Sequence, residues 1–215
     1  MMHAYDKIYL APAQRVLARS FDYAVYDLGL ELRSYYERFL ASAYAARFER
    51  GDYRVLVGMS GIELARRVMA EEGKAADSFP VPSENPARSQ EYWCGWALAY
   101  YQWHTGFSFR EIEEFAPIEL VFDLYHPYHE MDIEQFVGRL NSLRQERMPG
   151  TELKRRRVAL GLSQRELAER SGVSVRSIQQ YEQRQKDINK ASFSTVIALA
   201  TALHCASPMD LYEHI

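Results

Sequence analysis

Val175, Arg176, Gln180 and Gln183 are the residues of this 215-residue chain whose types and spacing point most directly to chemistry. Arg176, Gln180 and Gln183 stand at i, i+4 and i+7, so a helix carrying them presents all three on one stripe. An arginine fork matches the two acceptors on the edge of guanine. A glutamine amide matches the acceptor and donor of adenine, and a valine can meet the methyl group of thymine. Adding the other outward positions of the same segment gives Ser174, Val175, Arg176, Ser177, Gln179 and Gln180 as the set able to read base edges. Other chemistries find less support. His126, His129, Glu130 and Asp132 lie close together, but Pro127 interrupts any helix that would align them, so the segment reads as a connecting loop. The acidic groups around Glu71 and Glu111 read as solvated helix faces. No glycine-rich phosphate loop, nucleophile elbow or Cys/His pair is present, so neither an enzyme nor a cofactor or metal site is expected.

The elements that must position the stripe are written in the neighbouring residues. Ser163 and Glu166 have the spacing of a capping box, and Leu167 and Ala168 supply the buried face of the helix they start. Gly172 permits the left-handed turn that follows, and Ser174 caps the next helix. Val173, Ile178 and Tyr181 then bury the inner face of that second helix against the first. Two short helices joined by a sharp turn, with a small residue where they cross, are the mechanical demands of a helix-turn-helix. Five helical segments are predicted around it, at 151–160, 163–170, 174–183, 192–203 and 208–211. Thr151, Ser163, Ser174, Ser192 and Ser207 are placed to start them.

From Leu162 to Glu182 the string LSQRELAERSGVSVRSIQQYE resembles the Cro/C1-type, phage-repressor-like helix-turn-helix regulators. The likeness extends over residues 151–212 through Leu153, Arg157 and Gly161 before the motif and Leu199, Ala200 and Leu203 after it. The resemblance implies a five-helix fold whose second motif helix enters the DNA major groove. It also implies that Gln164 contacts a phosphate from the start of the first motif helix, and that Arg157 and Glu182 form a structural ion pair. Gln183, Arg184, Lys186 and Lys190, which follow the recognition helix, are candidates for neighbouring phosphates. The family commonly has glycine where Arg184 stands, and Gln183-Arg184-Gln185-Lys186 replaces its usual turn.

The composition divides the chain. Hydrophobic residues make up 47% and charged residues 26% of it, the values of ordinary globular proteins, and the formal charge is −3. Residues 1–148 carry a net −6 and 25 of the 28 aromatic residues, whereas residues 149–215 carry +3. Met148, Pro149 and Gly150 mark the expected boundary, because a Pro-Gly pair does not continue a helix. The expected architecture is all-α, with an acidic, aromatic helical domain at 1–148 and the DNA-binding domain at 149–215. In the first domain, helices are expected at 11–28, 31–48, 61–72, 89–104, 109–116, 118–125 and 133–147. A short alternating pattern at 53–57 is its only strand-like feature, and residues 74–88 read as a proline-containing loop. Cys94 and Cys205 suggest neither a disulfide framework nor a thiolate site, and no export signal or membrane span is visible, so a cytoplasmic setting is expected.

The helix at 89–104 is the most unusual of the first domain, with Trp93, Trp96, Ala97, Tyr100 and His104 on one face. It reads first as the central core element, and second as an aromatic surface for a partner or small ligand. Residues 60–67 echo 163–170, but no recognition helix follows, so a second DNA reader is not expected. The functional expectation is a sequence-specific regulator that binds double-stranded DNA as a homodimer, a repressor or autoregulator. The alternative is an antitoxin-like protein whose first domain neutralises a partner protein while the second autoregulates the operon.

Overall fold

Short polar residues start most of the helices. In the computed structural model, which describes residues 3–71, 73, 79–83, 88–148 and 150–213, the side chains of Ser42, Asp52, Ser60, Ser89 and Ser108 each accept a backbone N–H from the first turn that follows. Thr151, Ser163, Ser174 and Ser192 do the same later in the chain. These bonds satisfy donors that a helix start leaves open, each worth about 1 kcal/mol. The described residues contain helices and no strand, so the fold is all-α. They group into two compact units, residues 1–143 and 144–215. Pro149 and most of the expected loop at 74–88 lie outside the described residues.

The first unit is built on α1 (Leu10–Tyr26) and α6 (Gln90–Thr105). Between them stand α2 (Leu32–Ala41), α3 (Ala43–Glu49), α4 (Tyr53–Leu56) and α5 (Gly61–Ala70). After α6 come α7 (Phe109–Phe115), α8 (Ile118–Asp123), the short irregular α9 (Tyr125–Tyr128) and α10 (Ile133–Arg147). Two glycines let backbones meet. A Cβ on Gly95 of α6 would lie 2.8 Å from the Leu17 carbonyl oxygen and 2.8 Å from the Ala18 Cα of α1. One on Gly61 would run into the Val16 carbonyl oxygen. With Ala13, Leu17, Ala18 and Ala24 buried along α1, the helices approach closely, and aromatic rings fill the space around them. Phe39 and Phe48 meet the Phe109 ring edge to face at 5.2 and 5.6 Å, and Phe21 meets Tyr35 at 5.8 Å.

Three local expectations change. The helix expected at 31–48 breaks at Ser42, whose backbone is extended while its hydroxyl caps α3, so one helix becomes two. The alternating stretch at 53–57 is a single helical turn capped by Asp52, with Val55 and Leu56 buried. Ser60 caps α5, and Glu63 pairs with Arg67. The aromatic helix α6 is central, yet its deepest side is Cys94, Ala97, Leu98 and Tyr101. Trp96, Tyr100 and His104 are half-buried at its margin.

In the second unit, α11 (Glu152–Ala159), α12 (Gln164–Ser171), α13 (Val175–Glu182) and α14 (Phe193–Ala202) are followed by a 3₁₀ turn, Pro208–Leu211. Leu153, Leu162, Leu167, Ile178, Ile188, Leu199, Leu203 and Leu211 form one core, with Ala168, Val173 and Tyr181 packed against it. The helix starts match the five segments read from the sequence to within a residue.

Candidate nucleic-acid interface

The recognition segment is positioned by local geometry that its sequence dictates. Glu166 N–H donates to Ser163 Oγ at 3.1 Å while Ser163 N–H donates to Glu166 Oε2 at 2.7 Å, a closed capping box at the start of α12. Gly172 ends that helix at φ 70°, its N–H donating to the Ala168 carbonyl at 2.8 Å. Val173 turns into the core, and Ser174 then caps α13 by accepting the Ser177 N–H at 3.1 Å. Ile178 is fully buried on the inner face of α13.

The opposite face of α13 holds the residues singled out by type. Arg176, Gln179 and Gln183 are exposed, and Val175, Ser177 and Gln180 are half-buried. Their engagement differs. Ser174 and Ser177 hydroxyls bond each other at 2.9 Å, Gln179 donates to Gln164 Oε1 at 3.4 Å, and Gln183 accepts from Gln185 at 3.0 Å. Among the described residues, the Arg176 guanidinium and the Gln180 amide make no side-chain hydrogen bond or ion pair. They are the two long polar side chains of the stripe left open.

Behind this face lies a buried polar link. Arg157 Nε and Nη2 donate to the two Glu182 oxygens at 2.6 and 2.9 Å, and Arg157 Nη1 donates to the Leu162 carbonyl at 2.6 Å. Gln164 Nε2 donates to Glu182 Oε2 at 2.8 Å. Burial pushes the Glu182 carboxyl up, but hydrogen bonds from Arg157 and Gln164 outweigh it and hold the group below the usual carboxylate range. Gln164 thus connects the Arg157–Glu182 pair to Gln179 on the exposed face.

The residues after α13 are arranged in two ways. Lys186 and Lys190 are exposed, Lys190 lying 3.4 Å from Asp187, while Lys186 has no ion-pair partner among the described residues. Arg184 instead adopts a left-handed backbone, φ 56°, and its guanidinium donates to the Gly150 carbonyl at 3.2 Å and lies 3.6 Å from Glu213. The positive φ gives the physical reason a glycine suits this position. Sequence reasoning did not find this inner anchor or its continuation, in which Arg144 and Arg155 both pair with Glu152 while Glu213 accepts the Glu152 N–H. Burial raises the Glu213 carboxyl, and Arg184 and Arg155 offset this only partly. No local pattern announces contacts between residues 61 positions apart.

Residues 153–208 match the helix-turn-helix family. No curated protein and no solved structure matches the chain. The second unit is therefore a Cro/C1-type helix-turn-helix domain, from a family of DNA-binding regulators and not of enzymes. The chain is accordingly a DNA-binding transcription regulator. Among the described residues, no helix is long and apolar enough to cross a membrane, and no group of His, Cys, Asp or Glu is placed to hold a metal ion.

Proposed function

We propose that the chain binds a pseudopalindromic DNA site as a homodimer and represses transcription there, with Val175, Arg176 and Gln180 reading base edges in the major groove. The observation that carries the reading is the open pair Arg176 and Gln180 on a face where Ser174, Ser177, Gln179 and Gln183 are already engaged. A free guanidinium and a free amide one helical turn apart suit a guanine and an adenine. Ser174, Ser177 and Gln179 shape that surface. Gln164 retains one amide proton for a phosphate, beside the N-terminus of α12, and Gln183, Lys186 and Lys190 supply further backbone contacts. Arg184, tied to Gly150 and Glu213, is withdrawn from that set unless DNA displaces those partners.

Dimerisation is supported by an apolar surface on the second unit. Phe193 and Ile197, one turn apart on α14, are exposed together with Met209. A second copy would bring a second α13 to the adjoining half-site, about 10 base pairs away. A dimer lying across a promoter excludes other proteins by bulk, so repression asks no further chemistry of it. Selection of bound sequences from a random DNA pool is the test. A two-fold site occupied by two chains is expected, with Arg176→Ala and Gln180→Ala each weakening it by about 1–3 kcal/mol while leaving nonspecific DNA bound. Unchanged affinity for the selected site in both variants would remove α13 from the reading role.

A further inference from the structure

On the first unit, outside the DNA-binding domain, a cavity of about 320 Å³ opens between α6, α9 and the segment preceding α6. This lies at the lower end of the volumes that small-molecule sites occupy. Its walls are aromatic: Tyr92, Trp93 and Trp96 from α6 face Tyr125 and Tyr128 from α9. Four of these five rings are already held by neighbouring rings. Trp93 meets Tyr125 edge to face at 5.6 Å, Tyr125 stacks on His129 at 4.0 Å, and Trp96 stacks on Tyr100 at 6.5 Å. Tyr100 is itself tied to Glu134 by its hydroxyl. A flat guest would therefore enter a preformed slot and need not order the rings that receive it.

Of the polar groups of the slot, Ser89 is engaged by Asp22 and the Tyr92 N–H, and His129 by the Tyr125 carbonyl and Glu130; the rest share a character. Arg88, at the mouth, is the one lining side chain with a fixed charge, and it lies over the Tyr92 ring at 5.6 Å with no carboxylate partner among the described residues. The Tyr92 and Tyr128 hydroxyls and the Trp93 and Trp96 indole N–H groups likewise make no hydrogen bond among the described residues. Arginine and tryptophan can only donate, and a phenol donates readily, so the slot offers donors and a positive charge around apolar faces. A cation would meet Arg88 as a like charge, and a purely apolar guest would leave these donors unmatched.

We infer that this cavity is a binding site for a small planar aromatic carboxylate, its ring held between the α6 and α9 aromatics and its carboxylate paired with Arg88. The inference is independent of DNA binding, and so is its test. Isothermal titration of the full-length chain with 2-naphthoate, 2-naphthamide and 2-naphthylmethylammonium compares one ring system carrying three charges. The carboxylate is expected to bind one per chain and at least about tenfold more tightly than the other two, the worth of a charge-assisted pair. Arg88→Ala should bring the carboxylate to within about twofold of the amide. Because Arg88 is exposed, that variant retains the core and decides the question even if Trp96→Leu, expected to weaken all three ligands, disturbs folding. Absence of naphthoate binding at millimolar concentration, tighter binding of the ammonium, or a carboxylate preference that survives Arg88→Ala would each overturn the assignment.

Discussion

Glu182 satisfies Arg157 with both of its oxygens and Gln164 with one of them, from a side chain that is 3% exposed. Such a group makes stability depend on pH in a definite direction. Unfolded, the carboxyl titrates near its ordinary value of 4.5, and folded it titrates lower. Its contribution is therefore complete above about pH 4.5 and is lost as the pH falls through the folded value. Glu182→Gln should lower the protection of α13 amides against hydrogen exchange by about 2 kcal/mol at pH 7, and the gap to the natural chain should narrow as the pH falls below 4.5. Comparison within this pair of proteins is needed because Glu213, whose carboxyl is raised by burial, contributes in the opposite sense as pH rises. A gap that stays constant with pH would mean that the ionic form of Glu182 does not stabilise the domain. The Arg157–Glu182 pairing was legible through family resemblance, and the stripe on α13 from residue type and spacing. The Arg144, Arg155, Glu152 and Glu213 cluster was not, because it joins positions far apart in the chain.

Helix starts were the most legible feature of the elements, since a serine and the N–H groups two or three residues on make a local bond that needs no tertiary partner. Ser163, Ser174 and Ser192 cap the helices expected of them, and Ser89 and Ser108 cap the two expected at 89–104 and 109–116. Ser42 was hidden because its neighbours continue a helical apolar pattern across the break. The role of Gly95 was hidden for another reason: within an aromatic helix it looks like a weak point, and only the approach of α1 explains it. Gly95→Ala should lower the unfolding free energy of the first unit by about 2 kcal/mol or more, because the new methyl meets main-chain atoms that cannot move aside cheaply. Gly138→Ala is the control. It lies in α10 with nothing within 4 Å of a Cβ, so the substitution should stabilise by about 0.5–1 kcal/mol. Urea denaturation of the two variants measures both, and equal effects would contradict the close contact of α1 and α6.

Across the whole chain, the partition of charge matters more than its sum. A net of −3 gives no hint of nucleic acid, yet the portion from residue 149 onward carries +3 against −6 before it. Binding should therefore rest on local phosphate contacts and respond steeply to salt. Lys186→Ala and Lys190→Ala should each reduce the slope of log affinity against log salt by about 1, with little change in which sequence is preferred. A normal slope in both variants would place the phosphate contacts elsewhere.

The side-chain bonds within the helix-turn-helix also set how the costs of recognition are distributed. Gln164, Gln179, Ser174 and Ser177 are held by one another or by Glu182 before any DNA arrives, so their rotamer freedom is spent during folding. On the proposed reading, Arg176 and Gln180 keep theirs until they meet a base pair, at about 0.5–1.5 kcal/mol each. On a wrong sequence they can remain disordered while the rigid part of the surface still rests on the backbone. Such a surface can move along DNA without surrendering entropy at every step, and pays it only where a matching base pair returns the loss.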